Sequence, residues 1–148
     1  MKETLRWFGS SDSVSLKNIL QSGATGVVTS LDHIKTGAVW SYDEILKRKN
    51  IIEINGLDWS VVESVPLHND IKTMSGDYKN YISNYKKSIE NIGKAGIKVI
   101  CYNFMAVLDW TRTSLRYELK NKSLALRFDI IDFAAYDLFI LKRKNAEK

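Results

Sequence analysis

Short apolar runs alternate along this chain with longer segments in which apolar residues recur every three or four positions. Three of the runs, Gly26–Thr29, Trp59–Val62 and Val99–Tyr102, each follow a glycine at a short distance. Apolar runs of this length are typical of parallel strands that are buried on both faces. Another apolar run, Leu5–Phe8, precedes them, so the pattern predicts four strands.

The segments between these runs have helical periodicity. Apolar positions predict helices over Ser15–Gln21, Ser41–Ile54 and Tyr78–Ala95. Ser41 and Glu44 form a predicted capping box, because the hydroxyl and the carboxylate can each satisfy a free backbone N–H at a helix start. A glycine without Cβ can adopt the left-handed conformation that ends a helix, and we expect this at Gly23, Gly56 and Gly96.

The order of these elements predicts an α/β fold. Strands that alternate with helices form a parallel sheet with right-handed crossovers, either an open doubly wound sheet or part of a (β/α)₈ barrel. No glycine-rich phosphate-binding motif follows any predicted strand. The connections after the strands are long and polar, as in barrel enzymes, which build their sites there. We therefore expect the N-terminal half of a (β/α)₈ TIM barrel with four parallel strands.

The alternation stops after the fourth predicted strand. Tyr117–Leu119 and Leu124–Phe128 flank a polar turn and predict a β-hairpin, and Asp129–Leu141 predicts an amphipathic helix. We interpret the hairpin and helix as an insertion after the fourth strand. One partial barrel domain is therefore expected over all 148 residues. Its first β/α units occupy 1–114 and the insertion occupies 115–148, where the chain stops.

Composition narrows the class of protein. The sequence has no run of about 18 apolar residues that would form a transmembrane helix, and its opening residues lack the apolar core of a signal peptide. The single cysteine, Cys101, cannot form an internal disulfide and lies within an apolar run. These features are typical of a reducing compartment, and we expect a cytoplasmic protein with no membrane partner.

The net charge of +5 comes partly from two basic clusters, Lys47–Lys49 and Lys142–Lys144. Both clusters fall near the ends of predicted helices, where cations complement the helix dipole and remain solvated. A nucleic-acid surface is the alternative, but no nucleic-acid-binding motif accompanies the charge. We therefore expect no nucleic-acid partner.

Polar and aromatic side chains follow every predicted strand. Carboxyl ends of parallel strands meet at one edge, so these side chains should converge there. Arginine can pair with a carboxylate, histidine and asparagine can bind hydroxyl groups, and tryptophan can stack on a sugar-like carbon chain. The set fits a polyhydroxylated anionic small molecule. The candidate substrate-binding residues are Trp7, His33, His68, Asn103, Trp110 and Arg112.

Each candidate also has a purely structural explanation. Trp7 could fill the floor of the barrel, the two histidines could be ordinary loop residues, and Asn103 could cap a loop. Arg112 could pair with Asp109. Two histidines without metal-binding spacing do not predict a complete metal site within these residues, and no catalytic residue is assigned.

Several long motifs resemble the opening part of the mannonate dehydratase family. The resemblance runs over essentially the whole chain, through the basic end, and its motifs are long and ordered. They are LRWFG (5–9), GATGVVTSLDHI (23–34), GAVWSYDEILKRK (37–49), GLDWSVVESVPLHNDIK (56–72), NYKKSIENIGKAGIKVICYNFM (84–105) and VLDWTRT (107–113).

The resemblance implies a xylose-isomerase-like barrel and a Mn²⁺- or Fe²⁺-dependent hydro-lyase. That enzyme converts D-mannonate to 2-keto-3-deoxy-D-gluconate in hexuronate and glucuronate catabolism, and we expect it to be a homo-oligomer when full length. The metal ligands and the acid–base residues belong to later strands in the family. This chain is therefore expected to be an N-terminal fragment that is inactive alone. A related sugar-acid isomerase or epimerase and a non-catalytic sugar-acid-binding half-barrel are the alternatives.

Overall fold

The computed structural model describes residues 1–105 and 110–147. Two compact units, Met1–Phe104 and Met105–Lys148, divide the chain. None of the helices in the described part is long and apolar enough to cross a membrane. The first unit contains β1 (Thr4–Arg6), α1 (Leu16–Gln21), β2 (Gly26–Thr29), α2 (Tyr42–Ile54), β3 (Asp58–Val62), α3 (Asn69–Thr73) and α4 (Tyr78–Lys94), and the second contains β4 (Ser114–Glu118), β5 (Leu124–Arg127), α5 (Ile130–Ala135) and a π-helical turn (Tyr136–Leu141).

A parallel sheet of order β1–β2–β3 forms the centre of the first unit. On one face of the sheet, Val27 and Val62 are fully buried and share the apolar core with residues of the helices. Arg6 pairs in register with Val28, which pairs with Val61. Residues in register share a face and neighbours along a strand alternate, so these three lie on the opposite face. All three are only half-buried, and we call this the open face of the sheet.

The prediction of a fourth full strand is wrong. Residues 99–102 form a single parallel bridge, between Val62 and Ile100. The Val62 N–H donates to the Val99 carbonyl at 3.0 Å, and the Cys101 N–H donates to the Val62 carbonyl at 2.9 Å. Val99 and Tyr102 are exposed, so the segment lacks the two-sided burial that favours a continuous parallel strand. The described sheet therefore has three parallel strands and one bridged segment.

The predicted helix ends are largely confirmed. Ser41 caps α2, accepting a hydrogen bond from the Glu44 N–H at 3.2 Å. The other half of the predicted capping box is wrong, because the Glu44 carboxylate contacts Lys47 and His33 instead of the Ser41 N–H. The three predicted helix-ending glycines have positive φ, with +88° at Gly23, +79° at Gly56 and +83° at Gly96.

The basic cluster Lys47–Lys49 lies in the middle of α2, so its predicted place near a helix end is wrong. Its members also have different surroundings. Lys47 pairs with Glu44, whereas the Lys49 ammonium donates to the Ala95 carbonyl at 2.9 Å. The Arg48 guanidinium lies 5.1 Å from the centre of the Trp7 ring. The three charges therefore do not form one continuous basic surface.

The second unit contains the predicted hairpin, with β4 and β5 antiparallel. The single helix predicted over Asp129–Leu141 is wrong in part. Asp129 caps α5 by accepting hydrogen bonds from two backbone N–H groups, but α5 ends at Ala135 and a π-helical turn follows. That wider turn holds the buried Asp137, whose carboxylate pairs with Arg143 just beyond it. The ion pair ties the widened turn to the chain that follows it.

Candidate substrate-binding edge

The ends of β1, β2 and β3 lie side by side because the three strands are parallel and adjacent. We call these ends and the loops that follow them the carboxyl edge. The Ser30 hydroxyl donates to the Ser64 carbonyl at 2.8 Å, so the loops after β2 and β3 are joined just beyond the strands. This is the edge at which parallel β/α proteins bind their ligands.

Arg6, the last residue of β1, reaches across this edge. Its Nη1 donates to the main-chain carbonyl of Glu63, just after β3, and its guanidinium carbon lies 5.0 Å from the centre of the Phe8 ring. β1 and β3 are two strand spacings apart, about 10 Å. The side chain therefore spans the end of β2. The sequence places Arg6 at a strand end without singling it out for binding.

Trp7 packs in the core. Its main-chain N–H donates to the Val28 carbonyl at 3.0 Å, and the residue is only 4% exposed. The Arg48 guanidinium lies against the ring. Burial lowers the pKa of Arg48, and the negative charge of Asp32 partly opposes that shift. Little of the indole is free to stack on a ligand, so the structural explanation of Trp7 agrees with its position.

The loop after β1 is held by Asp12. Its carboxylate accepts hydrogen bonds from the Phe8 N–H at 2.7 Å and the Val14 N–H at 2.9 Å. These two backbone donors hold the pKa of Asp12 below its usual range. The loop that carries Phe8 beside Arg6 is therefore ordered by an ionised side chain.

His33 lies exposed in the loop after β2. Its Nε2 is 3.1 Å from a carboxylate oxygen of Glu44. The same carboxylate accepts a hydrogen bond from Lys47 at 2.5 Å. Lys47 first, and then His33, lower the pKa of Glu44. The imidazole is thus oriented from the first turn of α2, with one edge open to solvent.

His68 caps α3, a short helix that the periodicity does not predict. Its Nδ1 accepts a hydrogen bond from the Asp70 N–H at 3.2 Å, and its ring stacks on Tyr81 at 3.7 Å with an interplanar angle of 17°. The stacked pair lies beside a cavity of about 10 Å³. That volume holds about one water molecule, so this cavity is too small for a sugar acid. The other lining residues include Lys35, Pro66 and Tyr85.

The remaining candidates follow the bridged segment. Asn103 is half-buried in the first unit and makes no side-chain hydrogen bond within the described residues. Arg112 lies in the second unit, 5.7 Å from the centre of the Trp110 ring, and donates to the Thr111 carbonyl at 2.7 Å. Its predicted partner Asp109 lies outside the described residues. The six candidates therefore divide between the two units.

A metal site is not visible in the described part of the chain. Among residues 1–105 and 110–147, no three His, Cys, Asp or Glu side chains are grouped closely enough to hold a metal ion. The two histidines are engaged separately, His33 with Glu44 and His68 with the start of α3.

The first unit is thus a parallel β/α unit with arginine, serine and histidine at or just after its strand ends, which places it in the class of α/β proteins with parallel sheets. The family model described as D-mannonate dehydratase (UxuA) matches residues 1–146. The chain belongs to the D-mannonate dehydratase family.

Individual relatives agree with this membership. The chain is 61% identical to the mannonate dehydratase of Saccharophagus degradans over 146 residues, which cover 99% of this chain and 37% of that protein. It is 52% identical to mannonate dehydratase 1 of Agrobacterium fabrum, with the same two coverages. The crystal structure of mannonate dehydratase from Streptococcus suis serotype 2 matches with a TM-score of 0.86 and 41% identity over 99% of this chain and 42% of that one. The chain thus spans well under half the length of these relatives.

Proposed function

We propose that this chain forms the substrate-holding first part of a mannonate dehydratase, a hydro-lyase that removes water from D-mannonate to give 2-keto-3-deoxy-D-gluconate in hexuronate catabolism. The match of the family model to residues 1–146 is the observation that carries the proposal. In a (β/α)₈ barrel, β1–β3 and the bridged segment would occupy the first four strand positions. The carboxyl edge would then face the substrate.

The reaction defines what such an edge must do. Loss of water from the sugar acid takes a proton from C2, beside the carboxylate, and gives a proton to the departing C3 hydroxyl. Both transfers require the carbon chain to be held in a fixed orientation, which is the contribution we assign to this chain. His33, His68 and Asn103 could bind hydroxyl groups from the first unit. The acid–base residues stay unassigned, and we expect the 148-residue chain alone to have no dehydratase activity.

The family resemblance implies Mn²⁺ or Fe²⁺, which would stabilise negative charge that develops beside the carboxylate. The described residues do not fit a complete site for that metal. They bring together no three suitable side chains, and the imidazoles of His33 and His68 are already engaged by Glu44 and Asp70. We therefore assign no step of the reaction to a metal held by these residues.

We also propose a cytoplasmic protein that is a homo-oligomer when full length, as the family resemblance implies. The single cysteine supports a reducing compartment. The isolated 148-residue chain is a separate case, because within its described residues β1 pairs only with β2, and Leu5 on that strand is 44% exposed. In the isolated chain, an uncovered edge strand with an apolar side chain favours pairing with another chain.

A chimera tests the proposed reaction. Residues 1–146 of this chain would replace the matching 146 residues of the Saccharophagus degradans relative, from which they differ at about two positions in five. We expect the chimera, supplied with Mn²⁺, to convert D-mannonate into a keto-deoxy acid that is detected by NMR. The unmodified relative is the control for the assay. Turnover that gives an isomer instead of a keto-deoxy acid would favour the isomerase alternative, and a folded but inactive chimera would contradict the proposal.

A further inference from the structure

We infer that Arg6 binds the carboxylate of the sugar acid, an assignment that rests on the proposed function and adds a residue outside the six candidates. Arg6 lies on the open face of the sheet, in register with Val28 and Val61. The helices pack against the opposite face, where Val27 and Val62 are fully buried. The arginine is therefore on the face that remains accessible to a ligand.

The position of the guanidinium is fixed from two sides. It starts at the end of β1 and donates to the Glu63 carbonyl beyond β3, so it lies over the end of the middle strand. The loop that carries Glu63 is in turn held to the loop after β2 by the Ser30–Ser64 hydrogen bond. A cation held in this way loses little conformational freedom when it binds an anion.

The charge of Arg6 has no carboxylate partner in the described part of the chain. Its side chain donates one hydrogen bond, to the neutral Glu63 carbonyl, and enters no ion pair there. A guanidinium has five N–H donors in a planar fork, so four remain. A half-buried cation with free donors matches a carboxylate, which arginine binds through two parallel hydrogen bonds. The exposed ring of Phe8, beside the guanidinium, offers an apolar surface to the carbon chain of the ligand.

Two other arginines are weaker candidates for this role. Arg48 has a buried Nη1 without a hydrogen-bond partner in the described residues, but that atom is enclosed. A Cβ added at Gly9 would come within 2.7 Å of that atom, and the Trp7 ring covers another side. Arg112 belongs to the second unit and donates to its neighbour's carbonyl. Arg6 alone of the three combines an open face with a place at the strand ends.

NMR of the full 148-residue chain tests the assignment. The side-chain Nε–Hε signal of Arg6 is identified by its loss in Arg6→Lys. D-Mannonate should shift this signal in a saturable way, whereas D-mannitol, which keeps the hydroxyl groups but has no carboxylate, should leave it in place. Arg6→Met should weaken binding about 10- to 100-fold, the loss of a charge-assisted pair, as followed on backbone signals of the carboxyl edge. The exposed Lys86→Met on α4 is the matched control and should bind as the parent does.

An Arg6 signal that D-mannonate does not move, or that D-mannitol moves equally, would overturn the assignment. The wild-type comparison of the two ligands decides this even if Arg6→Met does not fold. Arg6→Lys, which keeps the charge and loses the planar fork, should bind with intermediate strength. If D-mannonate shifts the Arg6 signal but the chimera with the Saccharophagus degradans relative is inactive, the assignment of Arg6 to the carboxylate stands and only the proposed dehydration is refuted.

Discussion

Replacing Ser88 by alanine should destabilise the first unit, because this side chain completes a buried hydrogen-bond clamp. Ser88 is 0% exposed, and its hydroxyl accepts from the Trp40 N–H at 2.9 Å while donating to the Asn84 carbonyl at 2.9 Å. Asn91, one turn further along α4, donates to the Trp40 carbonyl at 2.8 Å. Both polar groups of the Trp40 main chain are thus satisfied by side chains of one helix.

The magnitude follows from what the substitution leaves behind. Ser88→Ala removes the acceptor of the Trp40 N–H, and Trp40 is only 1% exposed, so water cannot readily replace the lost partner. A buried donor without a partner costs about 1–3 kcal/mol. In a domain of roughly 100 residues, each kcal/mol lowers the melting temperature by about 4–8 °C. Asn91→Ala should have a similar effect by freeing the Trp40 carbonyl.

Urea unfolding followed by far-UV circular dichroism measures these free energies. Ser83→Ala, at an exposed position on the same helix, is the control, because it carries the same gain in helix propensity without the buried bond. Since Ser88 and Asn91 hold the main chain of the same residue, Trp40, the double variant should deviate from additivity by at least about 0.5 kcal/mol. If Ser88→Ala unfolds within about 0.5 kcal/mol of Ser83→Ala, the clamp does not contribute as argued.

Three further predictions concern the sheet, the loop after β1 and the exposed edge. Gly26→Ala should destabilise the first unit by about 1–3 kcal/mol, because the new Cβ would overlap the Ser60 hydroxyl and come 3.1 Å from the Asp58 carbonyl oxygen. Adding Ser60→Ala, which removes a buried hydroxyl that has no partner in the described residues, should restore part of the lost stability in thermal unfolding. Asp12 has a lowered pKa in the folded chain, so the stability it contributes is present above its unfolded pKa of 3.8 and is lost as the pH falls through the lower folded value. The difference in melting temperature between wild type and Asp12→Asn should therefore shrink in that acid range when melts are recorded at a series of pH values. A difference that does not change with pH would contradict the role of the carboxylate. The isolated chain should self-associate through its uncovered sheet edge, and a well-folded monomer in light scattering would count against both the edge argument and the half-barrel interpretation.

Local signals predicted the ends of α1, α2 and α4 well and the fourth strand poorly, for a physical reason. A cap at Ser41 or a left-handed glycine at Gly56 depends on a few neighbouring residues, so the sequence contains the whole signal. Whether an apolar run becomes a strand depends on burial by residues far apart in the sequence. Residues 99–102 have an apolar pattern, but Val99 and Tyr102 are exposed in the described structure, and the segment forms a single bridge.

The candidate site stays a prediction, and the sequence says more about where it should lie than about which residues form it. The alternation of elements predicts polar side chains beyond the strand ends; Arg6 lies at the end of β1 and His68 lies in the loop after β3. Burial and orientation decide which of these side chains can act, and both depend on contacts far apart in the sequence. Trp7 is turned into the core over Arg48, and Glu44 leaves its predicted cap to engage His33.

Stability and binding are assigned to opposite faces of the same three strands. The clamp on Trp40 and the apolar residues of α2 and α4 fix the helix-covered face, where Val27 and Val62 are fully buried. The open face holds the cation that still has free donors, Arg6. Substitutions on the first face should therefore lower the free energy of unfolding without a specific effect on ligand binding. Arg6→Met should weaken ligand binding with little effect on the free energy of unfolding. If it mainly lowers that free energy instead, Arg6 has the structural role that its hydrogen bond to the Glu63 carbonyl also permits.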